Sequence, residues 1–122
     1  MHPTKNNSAR LVRSFRYAIK GLKIYLGSGG NVKIHLAASF LVLVMGCWFR
    51  ISLTQWCVLV LASGMVHAAE AMNTSIENIV DFISPQQHPQ AEKIKDLSAG
   101  AVLISAMAAA LAGLLIFIPL IF

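Results

Sequence analysis

From Leu97 to Phe122 the chain carries no charged side chain. A helix needs roughly 20 consecutive apolar residues to cross a hydrocarbon core about 30 Å thick, and this stretch comfortably exceeds that. Two other apolar runs precede it, one from Val32 to Phe49 and one starting near Trp56. Backbone in lipid must satisfy its own hydrogen bonds, so runs of this kind fold as helices. Of the 122 residues, 57% are hydrophobic and only 12% charged, against roughly 25% charged in a soluble domain. The expected fold is therefore a single all-α integral membrane domain with membrane helices over 32–49, 56–83 and 91–119. The second and third are long enough to extend out of the bilayer.

The N-terminal part is basic. Residues 1–7 are polar and aperiodic and read as disordered. Ser8 is a plausible cap for a helix over 8–26. Leu11, Phe15, Ala18, Leu22 and Leu26 share one face of it, with Arg13, Arg16, Lys20 and Lys23 on the other. That pattern predicts an amphipathic helix lying in the headgroup region. Gly27-Ser28-Gly29-Gly30 then breaks the helix. It is not a phosphate loop, since no Gly-Lys-[Ser/Thr] follows and no strand precedes it, and it reads as a hinge. Lys33 and His35, at the entry to the first span, are expected to snorkel toward the interface. Arg50 to Gln55 reads as a turn and Ser84 to Pro89 as a loop. Cys47 and Cys57 lie in apolar runs without ligand spacing and read as small buried hydrophobes. No secretory signal is evident in the first residues.

Seven basic residues, Lys5 to Lys33, precede the first span, and Lys93 and Lys95 lie in the second loop, leaving Arg50 alone on the other side. The positive-inside rule places the N-terminus in the cytoplasm. A basic end next to membrane spans fits anionic lipid better than nucleic acid. Ala101, Ser105, Ala109 and Gly113 recur every four residues and let helices approach closely. Three spans enclose little volume, so a polar site is easier to build between protomers. Homo-oligomerisation is expected.

All five acidic residues fall between Glu70 and Asp96. Glu70, Asn73, Glu77 and Asp81 lie within about 80° of one another on a helix, at the end of an apolar run. Carboxylates there are costly unless matched by a cation or a metal, which makes the stripe a candidate functional site. Phosphoryl transfer uses these parts: hard oxygen ligands for a divalent cation, a base on the attacking hydroxyl, and a cation on the developing charge. Glu77 and Asn73 supply the first, Glu70 the second, Lys95 the third. Burial of Glu70 would favour its action as a general base. Polar residues one turn apart also serve simply to bind neighbouring helices. The His67/Glu70 pair would need a second such pair to form a carboxylate-bridged metal site, and Asn73-Thr74-Ser75 matches the glycosylation pattern by chance.

The run E-A-M-N-T-S-I-E-N-I-V-D, followed by H-P-Q-A-E-K-I-K-D-L-S-A-G-A-V-L, closely resembles the signature of prokaryotic diacylglycerol kinases, a family that includes undecaprenol kinases. The likeness extends from Arg10 through Tyr17, Lys20-Gly21-Leu22 and Cys47-Trp48 to the third span. It implies a homotrimeric helical bundle of three-span protomers, each with an N-terminal surface helix and with active sites shared between neighbours. The implied reaction transfers the γ-phosphoryl group of MgATP to a lipid hydroxyl, of diacylglycerol or undecaprenol, at the bacterial cytoplasmic membrane. By position, Glu70 resembles the general base and Glu77 a Mg²⁺ ligand. Asn73, Lys95, Asp96, His88 and Tyr17 resemble nucleotide or phosphate contacts, and Arg10 and Trp48 lipid contacts. Family members carry a second metal-binding Glu in the connector, where this chain has Gly29. That departure supports a second reading, a weakened or inactive relative serving as a lipid-binding or interaction protein. A small transporter fits least, because the acids crowd one rim and leave the span midplanes nearly free of charge. Lys33-Ile34-His35 and the His88-Pro89 loop look more like the undecaprenol kinase branch.

Overall fold

The structure, a computed structural model, describes residues 7–122 as four helices: α1 Asn7–Leu26, α2 Asn31–Phe49, α3 Leu53–Ile83 and α4 Pro89–Ile121. The expected disorder falls mostly on residues 1–6, outside the described residues; Asn7 already belongs to α1. The last three helices are long and apolar enough to cross a membrane. At 1.5 Å per residue, the 19 residues of α2 span about 28 Å, while α3 with 31 and α4 with 33 reach about 46 and 50 Å.

The turn between α2 and α3 decides where this excess length goes. Arg50 ends α2 in the left-handed conformation (φ 50°), its N–H donating to the Gly46 carbonyl. Two residues later Ser52 opens α3 through a capping box. Its Oγ accepts from Gln55 N–H at 3.2 Å, and its own N–H donates to Gln55 Oε1 at 3.0 Å. Hence α3 starts at Leu53 and not at Trp56: hydropathy marks where lipid begins, whereas the cap marks where the helix begins. With α2 and α3 pinned together at this end, the extra turns of α3 emerge at the other. Those turns carry Asn73 to Ile83. At the start of α4, His88 Nδ1 accepts from Gln90 N–H at 3.1 Å and Pro89 occupies the first turn, where a missing N–H costs nothing.

The pinned end is also where the core lies. Ile51, Leu59 and Phe117 are buried together, with Phe49 and Trp56 packed on them. Gly46 makes this possible: a Cβ there would clash with the six-membered ring of the Trp56 indole. α4 runs along α3 in the closest helix pairing of the described residues, burying Ser98, Val102 and Phe117. The small-residue stripe only partly follows this seam. Ala109 lines a cavity between α2, α3 and α4, but Ala101 is exposed.

Most other apolar side chains point outward, as lipid-facing residues do. Cys47 and Cys57 are among them, free and exposed, contrary to the expectation of burial. In a chain whose solvent is lipid, an apolar residue has no need of the interior. Along α1 only Tyr25 is buried, so no core lies beneath its apolar face.

Candidate active site

The site begins at the acidic end, where α3 leaves the apolar zone. Glu70 and Asn73 are each only 5% exposed. They face a cleft whose walls come from the first turns of α2 (Asn31, Ile34, His35) and from Ala99, Val102 and Leu103 of α4. One turn further out, Glu77 is exposed and accepts a 2.8 Å hydrogen bond from Asn73 Nδ2. A carboxylate only accepts, so this bond assigns the amide: nitrogen toward Glu77, oxygen toward the interior. Asn73 Oδ1 and Glu70 Oε2 are then both buried acceptors without a hydrogen-bond donor. Leaving such a group unsatisfied costs about 1–3 kcal/mol. Two of them in one cleft make a place built to receive donors or a cation.

His35 provides the nearest nitrogen. Its Nε2 lies 3.6 Å from Glu70 Oε2, with both side chains largely shielded (15% and 6% exposed). This contact departs from the expectation for His35. Instead of snorkelling outward it turns inward onto α3, because the carboxylate there offers a partner that lipid cannot.

Behind His35 runs a hydrogen-bonded chain that joins three helices. The Tyr25 hydroxyl meets His67 Nδ1 at 2.6 Å, His67 Nε2 meets Ser39 Oγ at 2.9 Å, and Ser39 meets Ser63 at 2.7 Å. With Tyr25 donating to Nδ1, Nε2–H donates to Ser39 and Ser39 donates to Ser63, which is the tautomer assigned from the network. Burial, and secondarily the nearby Glu70 charge, push the Tyr25 phenol above its usual range and keep it protonated as a donor. With both His67 nitrogens taken by hydroxyls, the His67/Glu70 spacing does not work as a metal pair.

Lys95 pairs with Asp81, bridging the first turns of α4 to the last turns of α3. Both are partly exposed, so the pair adds little to stability, and it holds the ammonium on the same side of α3 as Glu77. Asp96 and His88 are exposed nearby in sequence, with His88 engaged as the α4 cap. Arg10 and Tyr17 are exposed on α1. Trp48, 80% exposed, lies thirteen residues along α2 from His35, about 20 Å down the helix axis. The chain therefore brings Glu70, Asn73, Glu77 and Lys95 to one end of the bundle, while Trp48 stands at the other.

For a divalent cation the protein offers the Glu77 carboxylate and, once its amide turns over from the bond to Glu77, the Asn73 oxygen. Among the described residues no three His, Cys, Asp or Glu side chains converge on one point. Two hard oxygens fit Mg²⁺ that arrives with substrate phosphates and keeps several waters, not one held in a protein cage. The connector contributes no acid. Gly29 and Gly30 have φ of 74° and 59°, a backbone that residues with a Cβ rarely adopt.

Sequence reasoning gave Tyr25, Ser39 and Ser63 no place beside this site, took His35 for an interfacial side chain and weighed His67 only as a metal ligand. A signal was present: His35/Ser39 and Ser63/His67 are polar pairs four apart on otherwise apolar helices, hence each on one face.

Comparison with known proteins points the same way. The sequence pattern of prokaryotic diacylglycerol kinases matches residues 16–117. The chain is 36% identical over 115 residues to the undecaprenol kinase of Bacillus subtilis strain 168, spanning 94% of each protein. It is 34% identical over 110 residues to a Synechocystis diacylglycerol kinase, covering 89% of this chain and 63% of that one. With the diacylglycerol kinase of Escherichia coli K12 the identity is 27% over 100 residues, 82% of each.

Proposed function

The chain belongs to the prokaryotic diacylglycerol kinase family and is a lipid kinase, and on that premise we propose that it phosphorylates undecaprenol with MgATP as donor. The observation that carries the chemistry is Glu70: a buried carboxylate that accepts no hydrogen bond at Oε2 and stands on the floor of a cleft at the edge of the apolar zone. The lipid hydroxyl enters from the membrane side and gives its proton to Glu70 as its oxygen bonds to the γ-phosphorus. The bond from that phosphorus to the β–γ bridging oxygen breaks, and ADP leaves with the electron pair. Mg²⁺, when bound, neutralises phosphate charge; Glu77 and Asn73 are the residues that would hold it. Lys95, drawn from Asp81, stabilises the transferred group, with Asp96 and His88 beside the nucleotide and Tyr17 above it. Arg10 meets the lipid headgroup. Trp48, so far down α2, meets the hydrocarbon tail. The same reading places the N-terminus and the site on the cytoplasmic face of a bacterial inner membrane, with α1 on the membrane surface. It completes each site with a neighbour in a homotrimer.

Undecaprenol is preferred to diacylglycerol because the undecaprenol kinase relative matches over 94% of both chains. The test is turnover of purified protein with each lipid in mixed micelles, using γ-labelled ATP. Label transfer to undecaprenol with the higher kcat/KM, abolished by Glu70→Gln in a normally assembled protein, is expected. Higher kcat/KM with diacylglycerol overturns the substrate assignment, and full turnover of Glu70→Gln overturns the base.

A further inference from the structure

A general base must be aimed as well as ionised. A Glu side chain rotates about three bonds, and on α3 nothing within the helix holds the carboxylate plane of Glu70. Its one close polar partner among the described residues comes from another helix, His35 of α2, whose Nε2 faces Oε2. At 3.6 Å the contact between Nε2 and Oε2 is a close polar approach, longer than a hydrogen bond.

His35 is itself held from behind. Its ring stands edge-on to that of His67, with centroids 6.2 Å apart and planes at 81°. His67 cannot turn away, because Tyr25 and Ser39 occupy its two nitrogens. Ser39 lies one turn beyond His35 on the same helix, so the Ser39–His67 bond also sets the height of α2 against α3. That height brings His35 level with Glu70.

We infer that His35 is a positioning residue of this lipid kinase: it holds Oε2 of Glu70 so that Oε1 is the oxygen presented to the lipid hydroxyl. This rests on the reading of Glu70 as the base. A carboxylate left free to rotate spends most of its time misaligned, and misplacement of about 1 Å at a reacting centre costs on the order of 10²-fold in rate.

Two substitutions separate reach from polarity. Gln extends an amide nitrogen about as far as the imidazole Nε2, whereas Asn stops at the level of Nδ1. Both are small enough for the cleft and polar enough for its wall. In the full chain, assayed in mixed micelles, His35→Gln is expected to stay within about threefold of wild-type kcat. His35→Asn is expected to lose kcat by about 10²-fold, with both KM values within twofold and the thermal midpoint equal to that of His35→Gln. Equal kcat in the two variants, whether both normal or both impaired, overturns the inference, as does a loss in His35→Asn that appears in KM or in thermal stability. Glu70→Gln, run alongside, separates the two readings. If it is inactive while His35→Asn turns over normally, only the positioning role fails; if it retains wild-type turnover, the base role fails first and the positioning role with it.

Discussion

Replacing Gly29 tests the connector directly. Its φ of +74° lies where an L side chain pays about 1–2 kcal/mol, but a Cβ built there meets no heavy atom within 4 Å. The cost is thus backbone strain alone and does not depend on side-chain size. Gly29→Ala and Gly29→Glu should each destabilise by about 1–2 kcal/mol, a shift in the folding equilibrium of roughly 5- to 30-fold. Thermal unfolding in detergent, followed by circular dichroism, should show midpoints a few degrees below wild type for both. The variants should differ in metal dependence. Gly29→Glu adds a carboxylate in the connector beside the first turn of α2, and a third hard oxygen should lower the Mg²⁺ concentration for half-maximal turnover severalfold; Gly29→Ala should leave it unchanged. A Gly29→Ala protein as stable as wild type, or more so, would refute the strain argument, because removing Gly from a relaxed position stabilises. A Gly29→Glu protein with unaltered Mg²⁺ dependence would show that the turn points the new acid away from Glu77.

Other expectations are equally direct. Gly46→Ala forces a methyl group into the Trp56 ring, a rigid neighbour, and should cost about 1–3 kcal/mol with kcat little changed, read by the same melts. Tyr25→Phe deletes the donor to His67 and should cost about 1 kcal/mol at neutral pH. Because the folded-state pKa of Tyr25 is raised, its contribution is complete below the usual value of 10 and fades as pH climbs through the raised one. Wild type should accordingly lose stability relative to Tyr25→Phe only above about pH 10, as a pH series of melts would show. Lys95→Gln should raise KM for ATP by about tenfold, as expected for losing a charge-assisted contact, without lowering the thermal midpoint. Asp81→Asn, which frees the ammonium, should not raise KM; identical KM in wild type and Lys95→Gln would remove Lys95 from the nucleotide site.

The helices were legible because apolar length is a property of the chain in one dimension. The charge-free run 97–122 reads as a membrane helix, and the expected helix over 91–119 agrees with the observed α4, Pro89–Ile121, to within two residues at each end. Helix starts were less legible, since Ser52 and Gln55 begin α3 by hydrogen bonding within a stretch that hydropathy reads as turn. The acidic stripe of Glu70, Asn73 and Glu77 was visible from its spacing, and the structure adds that Asn73 and Glu77 bond to each other. His35 was misread. The His35/Ser39 spacing puts both on one face of α2, but on a helix so uniformly apolar it does not say what that face meets.

The sequence by itself thus determined how many helices cross the membrane, which end of them is polar, and that this polar end bears carboxylates suited to phosphoryl transfer. Only the tertiary structure decided what those carboxylates face. Facing depends on how α2 is rotated and raised against α3, and that setting is made by contacts between residues far apart in the chain. Trp56 seated on Gly46 closes one end of the pair, and the Tyr25–His67–Ser39 bonds fix the other. With both ends held, His35 has one place to go, and Glu70 is there.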